Sequence, residues 1–325
     1  MCKKEKRPLA VVLVDVAKAF DTVTHDHLLA VLGQRGLDEH VIKTVQSLYR
    51  DGLTTLEVGG VRSEEISMEV GVRQGDPLSP LLFNQAIDPL LHALECHGRG
   101  VKIAGTGLVA MAFADDLVLL SESWGSMNHN ISILDDFCRL TGLKVHARKC
   151  FGFMLTPGGR SLRMKVNDCQ PWEIGGASIE MVASERTVKY LGIQIGPMKE
   201  IKKPDALAEL RVALEKVEAA PLSSPQKVWL VKTFVIPRMF YRADHCEFGK
   251  VLMKSLDQLL RSKIKAWLGL PRSTCNGLLY ARAREGGLGV QKLGAMIPAM
   301  QAKRLWNLLH SEDRVIRDIA WHCRG

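Results

Sequence analysis

The 325 residues contain no apolar run approaching the ~18 that a membrane-crossing helix needs; the longest, Leu9–Val14 and Leu108–Ala114, are far shorter. No secretory leader is visible, because the apolar stretch after the basic N-terminus is short and meets Asp15. None of the eight cysteines forms a CxxC, and the closest pair, Cys138 and Cys150, lies 12 residues apart, which excludes the usual spacing of a structural zinc site. Reduced cysteines in an intracellular protein are the expectation. Internal repeats and low-complexity tracts are also lacking. With 46% hydrophobic and 24% charged residues the chain has a globular composition, which rules out disorder and fibrous repeats, and its length suffices for two domains.

What is present is an uneven charge. From Lys199 onward there are 23 Lys and Arg against 12 Asp and Glu, a net +11, whereas the first 198 residues carry a net −2. A near-neutral front and a basic back third suit a site that acts on a polyanion; a basic domain without a nucleic-acid partner is the alternative.

Residues 9–15 (LAVVLVD) read as a buried β-branched strand with Asp15 at its carboxyl end. Helices follow over 25–35, capped by Thr24, and over 41–49, stopping near Gly52. Alternation over 54–72 around Gly59-Gly60 signals a hairpin, residues 71–80 are turn-rich, and a helix is expected over 81–96. Residues 108–120 read as two short strands joined by an acidic turn, Asp115-Asp116. A helix over 126–140, stopped by Thr141-Gly142, and strands near 150–155 and 187–195 complete this half. Gly196–Pro204, rich in Gly, Pro and Lys, is the expected domain boundary. Beyond it the period turns helical: Leu207, Leu210, Leu214 and Val217, then Leu252, Leu256, Leu259 and Trp267 up to Gly269.

Acids embedded in apolar strands are costly unless a cation or metal pairs with them. Asp15 and the Asp115-Asp116 pair, 100 residues apart, are of this kind, and two adjacent strands would bring them together. Such carboxylates suit Mg²⁺, and two ions about 3.5–4 Å apart would clamp the attacking and leaving oxygens of a phosphoryl transfer. Asp135-Asp136, by contrast, sits in a helical pattern with Ile131, Leu134 and Cys138, and its carboxylates are expected to face water.

The ordered motifs VDVAKAFD (14–21), GVRQGDPLSPLLFN (71–84), FADD (113–116), GLKVHARKC (142–150) and YLGI (190–193) resemble the successive polymerase motifs of reverse transcriptases. The forms AFD, RQGDPLSP and FADD, with GGLGV (286–290) further on, are similar to non-LTR (LINE-type) retrotransposons, nearest to the site-specific class that inserts into ribosomal RNA genes. The resemblance implies an α+β fold: a right-hand polymerase palm, an antiparallel sheet flanked by helices, with partial fingers over 1–197, then an α-helical basic thumb and the start of the connecting region over 198–325. It implies an RNA-directed DNA polymerase that adds dNTPs to a primer 3′-OH, in target-primed reverse transcription, with an RNA template, a DNA primer and a nuclear location. The cofactors would be two Mg²⁺ ions, or Mn²⁺, held by Asp15, Asp115 and Asp116, with Asp15 and Asp115 the better placed. Phe20 matches the position that blocks a ribose 2′-OH; a core phenylalanine is the alternative. Lys18 and Ala19 would offer turn amides to the triphosphate, and Gln74 and Gly75 would line the incoming nucleotide. Arg73 and Asp76 are expected to pair with each other or with the loop. Lys149, with Lys144 as its rival, would serve the departing pyrophosphate. Tyr190, Leu191 and Gly192 resemble the hairpin that positions the primer end, or form an ordinary strand turn. Basic thumb helices would grip the duplex through phosphates, with Lys254, Arg261 and Lys265 sharing one helix face.

Asp15 lies fifteen residues from the start, where the family has a longer finger region, and zinc-finger, zinc-knuckle and endonuclease modules of the ribosomal-gene class are missing. The expectation is a piece of a longer polyprotein. An RNA-directed RNA polymerase, an intron-type maturase and an inactive nucleic-acid-binding remnant are the rival readings. Phe20 argues against the first and the intact acids against the last.

Overall fold

The computed structural model describes all residues except Met1, Asp51, Ala104, 160–162, Asp168, Cys169, Lys199, 202–204, Glu247, Arg324 and Gly325. Strand β1 (Leu9–Asp15) is apolar up to Val14 because both of its faces are covered there. Ala10, Val12 and Val14 point to one side and Val11 to the other, as strand alternation requires. Helices α1 (His25–Gln34), capped by Thr24, and α2 (Glu39–Tyr49), capped by Asp38, follow. Next come a ribbon in which Glu57–Val58 pairs with Val61–Arg62 around Gly59-Gly60, and α3 (Ser79–His97), whose Pro80 sits in the first turn where no amide is needed. Strands β2 (Ala110–Phe113) and β3 (Asp116–Ser121), helix α4 (Trp124–Thr141) and strands β4 (Phe151–Gly158) and β5 (Arg163–Val166) complete the main layer.

The sheet runs β5-β4-β1-β3-β2, antiparallel throughout, and Glu180–Met181 adds in parallel beside β4. One face packs on α3 and α4 through Phe83, Ile87, Leu90, Met127, Ile131 and Leu134. The other carries a smaller cluster, Val11, Val118, Leu120, Phe153, Leu155 and Val188. Val188 belongs to a hairpin of β6 (Val188–Tyr190) and β7 (Ile193–Gly196).

The chain divides into two compact units, 1–200 and 201–325. The second consists of α5 (Ala206–Ala219), α6 (Ser224–Leu230), a π-helical turn over Val231–Val235, α7 (Ile236–His245), α8 (Lys250–Trp267), α9 (Leu293–Leu309) and α10 (Arg314–Cys323), with short turns between α8 and α9. Its core joins Leu210, Leu214, Val231, Ile236, Leu256, Leu260, Ile264 and Leu293. The Gly-rich 286–290 stretch is part of this framework: Leu288 and Val290 donate their amides to the carbonyls of Leu278 and Leu279.

Three expectations need correction. The tight turn is Ala114-Asp115, with Asp116 already in β3 and paired to Phe113. Asp136 is exposed and paired with Arg139, but Asp135 is half-buried and accepts the Gly175 amide at 3.0 Å, so the pair does not simply face water. Lys265 does not share an exposed face with Lys254. It is 7% exposed, and its ammonium donates to the carbonyls of Arg272 (3.0 Å) and Thr274 (2.6 Å), which pins the loop after α8. Arg261 reaches the Tyr280 hydroxyl at 3.2 Å. The spacings of seven and four residues between Lys254, Arg261 and Lys265 are helical, but they run along the border of the core.

Candidate active site

The end of β1 is clamped from outside the sheet. The Asp15 carbonyl accepts the His146 amide, the Ala17 amide donates to the Lys144 carbonyl, and Val16 bridges Val145. The Asp15 amide donates to the Cys150 thiol sulfur at 3.3 Å, and that thiol donates to the His146 carbonyl at 3.5 Å. Burial pushes the Cys150 thiol up to about 11, so it stays protonated and able to donate. Asp15 is thereby held by strand pairing and by the 144–150 segment, and its side chain follows the alternation of Val11 to the thinly covered face.

On that face Asp116 stands directly opposite Asp15 in the β1–β3 register. Opposed residues of an antiparallel pair hold their Cβ atoms about 4.5–5.5 Å apart. Asp115 is exposed in the two-residue turn before it, which requires Ala114 at φ +51°. Partial burial, then the Asp115 and Asp15 carboxylates, push the Asp116 carboxyl above its ordinary range. No Lys or Arg pairs with any of the three among the described residues. The β6–β7 hairpin borders them: burial, then the charge of Asp116, push the Tyr190 hydroxyl above its usual value. Leu191 and Gly192 form its turn, both at positive φ (+46° and +78°). For leucine this is strained, as it is for Ala114 and for Lys18 at φ +48°. Among the described residues, three of the four non-glycine residues at positive φ thus fall in the three motifs that meet here.

A wall rises beside the acids. Lys18 precedes the short helical turn Ala19–Thr22, in which Phe20 stacks on Phe83 with centroids 4.9 Å apart. The motif at 71–80 is stitched to this turn: Gly71 donates to the Val23 carbonyl, Val72 to that of Phe20, and Gln74 Nε2 to Asp21 Oδ1 at 2.9 Å. Gly71 must be glycine, since it has φ +90° and a Cβ would lie 2.9 Å from the Asp21 Cα. Phe20, Gln74, Gly75 and Asp76 line a cavity of about 410 Å³. The Arg73 and Asp76 side chains do not pair with each other, although the Asp76 amide donates to the Arg73 carbonyl within the loop. Arg73 donates to the Leu48 carbonyl and lies over the Tyr49 ring, while Asp76 accepts the Leu78 amide. Lys149 is exposed on the 3₁₀ turn Ala147–Lys149, and Lys144 is exposed on the segment paired with Ala17.

The Asp21–Gln74 link, Gly71, Phe83 and Cys150 were not singled out in the sequence. All four lie inside the quoted motifs or one residue from them, so position within a motif was the available signal.

Residues 1–195 match the model of the family described as reverse transcriptase (RNA-dependent DNA polymerase). The chain belongs to the reverse transcriptase family. It is 31% identical over 313 residues to the Pol polyprotein of the type-1 retrotransposable element R2 of Nasonia vitripennis, across 96% of this chain and 30% of that protein. An R2 Pol polyprotein of Popillia japonica is 32% identical across 96% and 43%. That of element R2DM of Drosophila melanogaster is 31% identical across 94% and 29%. The chain therefore spans less than half the length of these relatives. Among solved structures, Candida albicans telomerase, determined with a fragment of telomeric RNA, superposes with a TM-score of 0.50 over 98% of this chain and 50% of that one, at 10% identity. That is a likeness of fold.

The family's use of divalent metal ions can be tested against the donors present. Asp15 and Asp116 on paired strands and Asp115 in the turn between strands offer only hard carboxylate oxygens without a competing cation among the described residues, which fits a hard divalent ion. Among the described residues they are not drawn into a closed ligand cage.

Proposed function

We propose that this chain is the RNA-directed DNA polymerase segment of an R2-type retrotransposon Pol polyprotein, with residues 1–197 as palm and partial fingers and 198–325 as thumb. The observation that carries the reading is the register that sets Asp15 opposite Asp116, one residue from Asp115, on the thinly covered face of the sheet. In the reaction a primer 3′-OH attacks the α-phosphorus of a dNTP, a new P–O bond forms, and the bond to pyrophosphate breaks. Asp15, Asp115 and Asp116 would hold two Mg²⁺ ions, which when bound offset the charge that develops on the attacking and leaving oxygens.

The remaining roles belong to side chains and amides of this chain. Lys18 and Ala19 present turn amides to the triphosphate. The Phe20 ring, braced by Phe83, occupies the space a ribose 2′-OH would need. Gln74 and Gly75 line the nucleotide beside it. The hairpin turn Tyr190–Gly192 supports the primer end next to Asp116. Lys149, with Lys144 as the alternative donor, gives a proton to the departing pyrophosphate. In the full-length protein the template would be the element's transcript and the primer a nicked chromosomal end, which places the reaction in the nucleus.

Primer extension on an RNA template tests the reading. The chain, alone or within its full-length polyprotein, should extend a DNA primer with dNTPs in the presence of Mg²⁺, and Asp115→Asn should stop it while leaving the circular dichroism spectrum unchanged. Near-normal extension by that variant would overturn the assignment.

A further inference from the structure

We infer that the second unit carries a binding stripe for unpaired nucleic acid on the outer face of α6 and α7, built from Trp229, Phe234, Arg238 and Tyr241. Trp229, Phe234 and Tyr241 are 57%, 59% and 48% exposed, an unusual display for three large rings in so short a segment. In an uninterrupted α-helix a residue five positions on is turned away by about 140°. Trp229 and Phe234 are five apart and yet touch, edge to face, with centroids at 5.8 Å. The π-helical turn over Val231–Val235 begins after Trp229 and includes Phe234, and its wider i to i+5 spacing returns the chain to the same face. The regular helix resumes at Ile236, and Arg238 and Tyr241, four and seven residues after Phe234, fall on that face again. Val231, Val235, Ile236, Met239 and Ala243 take the buried side. The π turn thus gathers rings that a plain helix would have scattered. The stripe is roughly 18 Å long, room for several unpaired nucleotides.

Charge selects the occupant. Residues 224–245 hold Lys227, Lys232, Arg238 and Arg242 against a single acid, Asp244, within a unit of net charge +11. Asp244 is taken by Arg304, and Arg242 by Glu209. Arg238 is exposed and has no acidic partner among the described residues. Exposed rings interleaved with a free guanidinium suit bases that are open for stacking above a phosphate backbone. A duplex hides those base faces, so the ligand is single-stranded. The stripe shares no residue with the carboxylate site, and it does not rest on the polymerase reading.

The test is fluorescence anisotropy of the full chain with labelled oligo(dT) and oligo(U), and with a duplex of equal length. Trp229→Ala and Phe234→Ala should each weaken single-strand binding by a factor of about 5 to 100, with duplex affinity changed less than twofold. Trp229→Phe and Phe234→Tyr, which keep a ring, should retain most of it, and Arg238→Gln should shallow the salt dependence. Asp15→Asn should bind as the parent does, so failure of the stripe and failure of the polymerase site are separable. Unchanged single-strand affinity in the alanine variants, equal losses on duplex, or equal losses in the ring-keeping variants would each overturn the proposal.

Discussion

The two units treat charge inside apolar surroundings in opposite ways. In the helical unit Asp257 and Lys265 are buried and fully employed. Asp257 caps α9 by accepting the amides of Leu293 and Gly294, and Lys265 donates to two loop carbonyls. In the sheet unit Asp15 and Asp116 stand opposite each other, with Asp115 adjacent, and repel. A buried charge satisfied by backbone holds a fold together; a set of like charges without a partner costs stability and is retained for what it binds. The contrast explains why the net +11 of the second unit is a poor guide to which lysine touches nucleic acid, whereas three acids with no excess charge around them locate a site.

The strongest way to break this comparison is to neutralise one acid. Asp15→Asn should lower primer extension by two to four orders of magnitude, since a lost ligand charge costs several kcal/mol of transition-state stabilisation. Thermal stability should hold or rise, because repulsion is relieved. A variant that unfolds while retaining its specific activity would make Asp15 a structural acid of the Asp257 kind.

The converse experiment is next in size. Lys265→Ala leaves two carbonyls without their donor and should cost about 1.5–3 kcal/mol in chemical denaturation, whereas the exposed Lys254→Gln should stay within about 0.5 kcal/mol. If the two variants were equally stable and both weakened duplex binding, Lys265 would be a contact residue after all.

That correction shows where sequence reading stops. The strand at 9–15, the helices after it, the acidic hairpin and the hairpin at 188–196 were legible, because alternation, capping and turn residues are local signals. Asp15 and the Asp115-Asp116 pair could be brought together from their matching strand context, but with Asp115 as the expected better-placed partner, whereas the register sets Asp116 opposite Asp15. What could not be read was depth. Lys254, Arg261 and Lys265 share a helical spacing, and only the packing of the loop at 270–276 against α8 decides which is covered. The Asp21–Gln74 bond and the fit of Gly71 against Asp21 are likewise contacts over about fifty residues, with no periodic trace. The π turn was invisible for the same reason: it alters a helix by one residue without changing its composition.

Phe20 offers a finer test, because it lies in the core and at the site at once. Its ring stacks on Phe83 and also lines the cavity with Gln74 and Gly75. Phe20→Val should cost about 1 kcal/mol from the lost ring pair and should reduce the preference for dNTP over rNTP, measured as a ratio of incorporation efficiencies. A stability loss with an unaltered ratio would make it a core residue alone.

The smallest effect is a dependence on pH. Burial, Asp115 and Asp15 raise the Asp116 carboxyl above its unfolded value. The folded chain therefore binds more protons than the unfolded chain between those two values. The favourable contribution of the protonated group is complete below the unfolded pKa and is lost as pH rises through the raised folded one. Asp116→Asn should accordingly flatten the stability profile in that acidic window and leave it unchanged elsewhere. A divalent ion needs the ionised carboxylate, so Mg²⁺ or Mn²⁺ affinity, read by calorimetry, should weaken on acidification at a higher pH than an ordinary aspartate would dictate. Partial exposure and salt screening keep the stability term small, so the comparison belongs at low ionic strength. A profile that Asp116→Asn does not alter would mean that the three acids do not sense one another, and the contrast with the satisfied charges of the helical unit would lose its basis.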